Sequence, residues 1–501
     1  MSSERVIAID LGASSGRVIG VDFRDGEARI DSLHRFPNAP VRKEVGGLPR
    51  WCWDLDAIMR GVTEGLAVVA RSGPVDSIGI DSWAVDYGLV DEHGGLVAPV
   101  TAYRDERHHA AYERLRRELG EEAIYAATGI QFLPFNSIYQ LATDALDPAR
   151  PLDRASRMLM IPDLVAHRLC GSMTGERTNA GSTQCFDPRT DDWVDSILER
   201  AGVPRSIMPP VVEGGRAAPL GTLDPGIASK VGLPADLPVL ATATHDTAAA
   251  VAGAPLRGDD DVFISSGTWA LVGLELPRPI RDERARAINA TNEPGVFGTT
   301  RFLRNVAGLW LLQECRRAWA EEGRDLDWTE LEGMAERASP FACVFDPDDP
   351  SLAAPGGMPD RIRDVMERAG EPVADDEGAM VRAILDSVAL KTAISIEELA
   401  GVAGRTPERV VVVGGGSANG LLNRLVADCT GLPVVTGSTE STALGNAAVQ
   451  VATLRGLGDR RALGGLLPGA DPVAEPRDAP GHRERIEGAR DRLRQRGGGM
   501  S

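Results

Sequence analysis

A strand, a turn of glycine and hydroxyl residues, and a second strand open this chain, and the same device returns near its middle. Val6-Ile7-Ala8-Ile9 is an apolar run that reads as a buried strand. It ends at Asp10, turns through Gly12-Ala13-Ser14-Ser15-Gly16, and resumes as a strand from Arg17 to Phe23. Asp25-Gly26 is a hairpin signal into a third strand. In the second half, Val262-Phe263-Ile264-Ser265 leads into the turn Ser265-Ser266-Gly267-Thr268 and a strand from Ala270 to Leu274. Two halves that open with the same strand-turn-strand device suggest an internal duplication at the level of architecture.

Helical patterns alternate with these strands, which places the chain in the α/β class. Asp54 to Arg71 carries Leu55, Ile58, Met59, Val62, Leu66 and Val69 on one face. Strands are expected at Ser77–Ile80, Val85–Val90, Leu237–Ala241, Val410–Val413 and 433–435, and helices at 112–119, 137–146, 309–321, 379–403 and 419–429. Asp346 to Asp360 reads as a loop, and His482 to Arg496 as a surface or frayed helix. The break at Pro255–Asp261 divides the chain into domains at 1–250 and 251–455, followed by a tail at 456–501.

Composition narrows the function classes. With 501 residues and 43% apolar content the chain can fill more than one core. A net charge of −19 argues against a nucleic-acid partner, which needs a basic stripe. No apolar run reaches the roughly 18 residues of a membrane span, and residues 1–8 lack the basic and apolar regions of a signal peptide. The six cysteines have neither zinc spacing nor pairs, so they read as small core residues in a reducing cytoplasm. The chain has 56 glycines, and the excess concentrates attention on turns that approach a ligand closely.

Three such turns follow apolar strands. In Asp10-Leu11-Gly12-Ala13-Ser14-Ser15-Gly16-Arg17, glycine backbone N–H groups and serine hydroxyls can cradle a polyanion, and Asp10 can hold Mg²⁺ through water. Ser265–Thr268 is its counterpart. Gly414-Gly415-Gly416-Ser417-Ala418-Asn419 fails the dinucleotide pattern at its sixth position but suits adenosine on a glycine loop before a helix. Lysine occurs only at 43, 230 and 391, so no P-loop exists. Asp246, at a strand-to-helix junction between His245 and Thr247, reads either as a helix N-cap or as a general base. Trp83 reads as core or as a sugar-cupping ring, Arg104 and Asp105 as sugar ligands or surface ion pairs, and His108-His109 as part of a solvated helix.

Asp10–Arg17, Gly79-Ile80-Asp81-Ser82-Trp83, Thr128 to Asn136, His245-Asp246-Thr247, Ser265–Trp269, Thr291-Asn292-Glu293, Asn305–Gln313 and Gly414–Gly416 together resemble the FGGY carbohydrate kinases of the actin-like ATPase superfamily. The likeness runs from Val6 to about Leu454. It implies two actin-like (ribonuclease H-like) domains flanking a central cleft, the first on the sugar and phosphate side and the second on the adenosine side. It implies ATP-dependent phosphorylation of a sugar, L-rhamnulose, on its C1 hydroxyl, with Mg²⁺. Ala13, Ser14, Ser15, Gly16, Arg17, Thr268, Gln313 and Gly415 would contact ATP. Ala84, His245, Asp246, Thr247 and Asn305 would face the sugar, with Asp246 as the base. Ala84 stands where the family usually has glycine. The expected partners are thus a small ketose and ATP, in a cytoplasmic monomer or homodimer. The rival readings are a family member acting on another ketose or polyol (L-xylulose, L-fuculose), a non-catalytic actin-like ATP-binding protein, and, more distantly, a nicotinamide oxidoreductase.

Overall fold

The computed structural model describes residues 3–24, 27–216, 218–354, 356–479 and 481–497; the Asp25-Gly26 hairpin signal lies outside them. The chain forms two compact units, neither of them one continuous stretch. The first comprises Met1–Ala254, Glu275–Phe302 and Ser441–Pro468; the second comprises Pro255–Leu274, Leu303–Glu440 and Gly469–Ser501.

The first unit is built on a six-stranded sheet. Its strands are β1 (Glu4–Leu11), β2 (Ser15–Arg24), β3 (Glu27–Pro37), β4 (Ser77–Ser82), β5 (Gly221–Thr222) and β6 (Pro238–Leu240), in the order β5-β6-β4-β1-β2-β3. β1 pairs antiparallel with β2 and parallel with β4, so Asp10 lies opposite both Arg17 and Asp81. Because side chains alternate across a strand, β1 serves two cores. Ile7, Ile9 and Leu11 pack with Leu55, Ile58, Val62 and Leu66 of helix α1 (Leu55–Ala70). Val6 and Ala8 face helices α2 (Asp246–Ala252) and α3 (Ser441–Leu454). Each such fully buried aliphatic side chain contributes about 1.5–3 kcal/mol of transfer free energy. Asp54 caps α1 by accepting from the Ala57 N–H. α2 and α3 meet through small residues: a Cβ on Gly445 would strike the Ala249 carbonyl, and one on Gly253 the Ser441 carbonyl.

The second unit repeats the core of that topology. β7 (Asp261–Ser266) pairs antiparallel with β8 (Trp269–Leu276) and parallel with β9 (Arg409–Val413). β10 (Val434–Thr436) adds a parallel strand and β11 (Asp471–Ala474) an antiparallel one. The order β8-β7-β9-β10 therefore mirrors β2-β1-β4-β6. The helix Glu377–Ala403 has buried residues on every face over most of its length, as expected of a helix sunk in a core.

Several expectations need correction. Of the two readings of 482–496, the surface helix holds and the frayed one does not: the helix His482–Gly497 leaves most of its residues exposed but docks one face through Ile486, Ala489 and Leu493, and Arg492 pairs with the buried Glu371 at 3.0 Å. Sparse apolar residues left that choice open, because three of them suffice once arginines add ion pairs to the contact. Asp346 to Asp360 is not one loop, since the helix Met358–Arg368 starts within it. His108 does not belong to a solvated face; it is buried, and the loss of hydration together with neighbouring His109 pushes its pKa down to about 4. His109 alone is exposed.

Candidate active site

The first glycine turn is shorter than its sequence suggests, because β2 begins at Ser15. The Gly12 N–H donates to the Ser15 carbonyl at 2.9 Å, and Asn38 Nδ2 donates to the Gly12 carbonyl at 2.7 Å. Ser14 is exposed, Ala13 and Ser15 are half-buried, and Gly16 is buried beneath the Phe36 ring, which leaves no room for a Cβ. Arg17 reaches across the hairpin to Asp10, Nη2 to Oδ2, at 2.5 Å.

Asp10 is 1% exposed, and its neighbour across the parallel pair, Asp81, is fully buried. Asp81 Oδ2 accepts from Asn446 Nδ2 at 2.6 Å, while Oδ1 has no hydrogen-bond partner. Burial first, then the charges of Asp10 and Asp246, hold the Asp81 carboxyl well above the usual carboxylate range. Gln450, one turn along α3 from Asn446, donates to the Ile7 carbonyl at 2.9 Å and accepts from Ser77 at 2.7 Å. This polar ladder joins residues more than 360 positions apart in the chain. Nothing near Asn446 in the sequence announces it.

The cap reading of Asp246 is not what the backbone shows. His245 occupies the N-cap, with φ −83° and ψ 123°, and Asp246 is the first helical residue. Its carboxylate keeps 35% of its surface open and accepts from Thr247 Oγ1 at 3.1 Å. Loss of hydration, then the charge of Asp10, raises the Asp246 pKa to about 7. Thr247 is buried. The chain leading to this junction is stapled by Glu176, a buried carboxylate that accepts from Thr244 N at 3.1 Å, Thr244 Oγ1 at 2.9 Å, Thr178 N at 2.9 Å and Gly214 N at 3.2 Å. The buried His245 ring lies between Arg301 and Asp246: Arg301 Nη2 is 3.1 Å from Nδ1, and Asp246 Oδ1 is 3.4 Å from Nε2. Glu293, within the noted Thr291-Asn292-Glu293 string, pairs with Arg301 at 2.9 Å. Arg301, Glu176 and Gln450 have no expected role in the sequence reading.

Beyond β4 the backbone is constrained. Val85 has φ +67°, which a β-branched residue rarely adopts, and the Asp86 N–H donates back to the Ala84 carbonyl at 2.9 Å. The Val85 carbonyl is held by Ser137 Oγ at 2.7 Å. Asp86 is buried and accepts from Trp53 Nε1 at 2.6 Å and Trp83 Nε1 at 3.0 Å; burial still raises its pKa to about 6. Trp83 is therefore core, 4.2 Å from the Trp53 ring centroid, and not a sugar-cupping ring. Ala84 itself is half-buried. Asp105 is likewise structural, accepting from Trp51 N and Arg50 Nη1, each at 3.0 Å, whereas Arg104 is exposed beside the Tyr103 ring.

In the second unit, Gly267 and Thr268 form the turn between β7 and β8. Thr268 Oγ1 and Gln313 Oε1 meet at 3.5 Å, and the Trp310 N–H donates to the Thr268 carbonyl at 3.1 Å. Thus Thr268 and Gln313 come together at the start of the helix Trp310–Glu321. Gly414 has φ +83°, and a Cβ there would stand 2.8 Å from the Ser266 carbonyl. Gly416 packs against the Ser266 hydroxyl, while Gly415 faces open space. Asn305 is half-buried on the strand Thr300–Ala307. Among the described residues no helix is long and apolar enough to cross a membrane.

Comparison with known proteins gives this geometry its setting. The model of the N-terminal domain of the FGGY family of carbohydrate kinases matches residues 5–253, and that of the C-terminal domain matches residues 262–454. A rhamnulokinase of Bacteroides thetaiotaomicron is 37% identical over 452 residues, covering 90% of this chain and 91% of its own. One from Pectobacterium atrosepticum is 38% identical over 497 residues, covering 97% of each. Among solved structures, a xylulose kinase from Lactobacillus acidophilus superposes with a TM-score of 0.82 at 16% identity, covering 98% of this chain and 97% of its own. A glycerol kinase from Plasmodium falciparum with ADP gives 0.80 at 14% identity, covering 98% of each. The actin-like fold, the duplicated strand-turn-strand openings and family matches across nearly the whole length converge: the chain belongs to the FGGY family of carbohydrate kinases, phosphotransferases acting on a sugar hydroxyl.

Proposed function

We propose that this enzyme transfers the γ-phosphoryl group of ATP to the C1 hydroxyl of L-rhamnulose, giving L-rhamnulose 1-phosphate and ADP. The observation that carries the reading is Asp246, a partly open carboxylate whose pKa of about 7 suits a base working at neutral pH. The rhamnulokinases at 37% and 38% identity support the choice of sugar.

In this mechanism Asp246 accepts the proton of the sugar hydroxyl as it attacks phosphorus in line. His245, Thr247, Ala84 and Asn305 orient the sugar. N–H groups of the first turn, at Ala13, Ser14, Ser15 and Gly16, together with Arg17, take the phosphate oxygens. Thr268, Gln313 and Gly415 hold the remainder of the nucleotide, with Gly415 giving it an unobstructed backbone surface. The donor chemistry fits Mg²⁺: Asp10 and Asp81 are adjacent carboxylates that repel one another, and Asp81 Oδ1 lacks a partner. Asp10 would hold the ion through water, and when bound it neutralises developing phosphate charge. The location inferred for the enzyme is the cytoplasm, whose reducing conditions suit cysteines that lie in or beside the cores.

A coupled ADP-release assay across a ketose panel tests the proposal. L-rhamnulose should give the highest kcat/KM; equal or better turnover of L-xylulose or L-fuculose overturns it. The half-buried Ala84, in place of the usual glycine, is the observation that favours a shifted sugar preference. Slow ATP hydrolysis indifferent to every sugar would point instead to a non-catalytic ATP-binding protein.

A further inference from the structure

The reading of Asp246 as base leaves unexplained why a fully buried arginine stands behind His245. Arg301 is 0% exposed, and an uncompensated guanidinium there would be costly. Glu293 compensates it at 2.9 Å, and the Pro294 carbonyl accepts from Nε at 3.3 Å and from Nη2 at 3.2 Å. Nη2 is also 3.1 Å from His245 Nδ1. A guanidinium can only donate, so the nitrogen it faces must offer a lone pair. On the far side of the ring, Nε2 stands 3.4 Å from Asp246 Oδ1 as a charge contact and not a hydrogen bond, so an N–H there stays available to a ligand. The Arg301 contact therefore selects the tautomer with the proton on Nε2. Glu293 Oε2 also lies 3.4 Å from Nδ1, but it is nearer to Arg301, and a proton on Nδ1 would set two N–H donors against each other. Burial, then the Arg301 charge, keeps the ring neutral by holding its pKa well below the usual histidine value.

We infer that Arg301, fixed by Glu293, is a positioning residue that locks His245 as a neutral Nε2–H donor beside the carboxylate of Asp246. The inference rests on the sugar-kinase reading for its consequence. A donor and an acceptor side by side match two oxygens on neighbouring carbons of a substrate: the hydroxyl to be phosphorylated, read by Asp246, and an adjacent carbonyl or hemiketal oxygen, read by His245. A ketose carries that pair at C1 and C2. His245 and Asp246 would then select substrates with an oxygen beside the reacting hydroxyl, and Arg301 would act on that selection without touching the sugar.

The tautomer can be read without any turnover, so its failure is distinct from failure of the kinase assignment. In the full chain labelled with ¹⁵N-histidine, with His245→Asn identifying the signal, the Nδ1 resonance should be that of an unprotonated nitrogen and Nε2 that of an N–H. A proton on Nδ1, or a charged ring at neutral pH, overturns the inference. Arg301→Met and Glu293→Gln should release the tautomer and raise KM for the sugar about tenfold, the weight of one lost hydrogen bond, with KM for ATP changed less than about twofold. A folded variant of either kind that loses both KM values together, or neither, would show Arg301 to be merely structural. Should both variants fail to fold, the wild-type resonances alone decide.

Discussion

The sharpest consequences at the scale of single residues concern Asp246. Asp246→Asn removes the proton acceptor and should lower kcat about 10²–10⁴-fold while ATP still binds, measured by ADP release and by nucleotide titration. Retained turnover would defeat the assigned role. In the wild type the carboxylate is lost as pH falls through about 7, so kcat/KM should rise with pH and level off above that value. Stability runs the other way. The folded carboxyl holds its proton to a higher pH than the unfolded chain, whose value lies near 4. This group therefore favours the folded state fully below that pH and loses the benefit as pH rises through 7. Asp246→Asn should accordingly melt slightly higher than wild type at pH 8, a gain kept small by solvent screening of a carboxylate 35% exposed and vanishing towards pH 4. A melting temperature lower than wild type at pH 8 would mean that the ionised carboxylate stabilises the fold, against a raised pKa. Sequence made Asp246 conspicuous, but not its pKa: the shift arises from burial and from Asp10, more than 230 positions away in the chain.

The glycine loops are legible as elements, and their members are not equivalent. Gly415→Ala places a methyl in open space and should leave Tm within about 1 °C. The same methyl stands where the nucleotide is proposed to rest, so KM for ATP should rise severalfold. Gly416→Ala forces a methyl onto Ser266 and should cost about 1–3 kcal/mol, seen as an earlier thermal transition. Reversed outcomes would mean that the loop holds its ligand by another edge. The run of three glycines shows only that the backbone needs freedom; which one is packed depends on β7 lying alongside. A similar division appears at α2. Its small residues mark a close helix contact, yet the partner, α3, lies near the far end of the chain and could not be named beforehand.

Across the whole molecule, the first unit takes in α3 from beyond residue 440. A fragment of residues 1–254 should therefore lack much of the core formed by Val6, Ala8, Leu444, Ala447 and Val451. It should also leave the Ser77 and Asp81 side chains without the partners they find on Gln450 and Asn446. We expect it to show neither a cooperative melt nor the near-UV circular dichroism of fixed tertiary packing. Adding a peptide of residues 441–468 should restore both in part; a fragment that melts cooperatively on its own would contradict the expectation. The net charge of −19 argues against a nucleic-acid partner but is silent on nucleotide, because loop N–H groups act over a few ångströms while net charge acts over the whole surface.

What the sequence by itself determined was local: two strand-turn-strand openings, glycine loops after apolar strands, a helix beginning at Asp246, and with them the family. Each depends on residues close together in the chain, where φ preferences and side-chain periodicity act directly. The tertiary structure alone decided that Trp83 is core, that His108 is buried, that the 482–497 helix is docked, and that Arg301 with Glu293 stands behind His245. It also set the pKa of Asp246 and joined Asp81 to Asn446. Burial and the pairing of charges far apart in the chain leave no periodic mark on a sequence, since they exist only once hydration has been removed and distant segments have met.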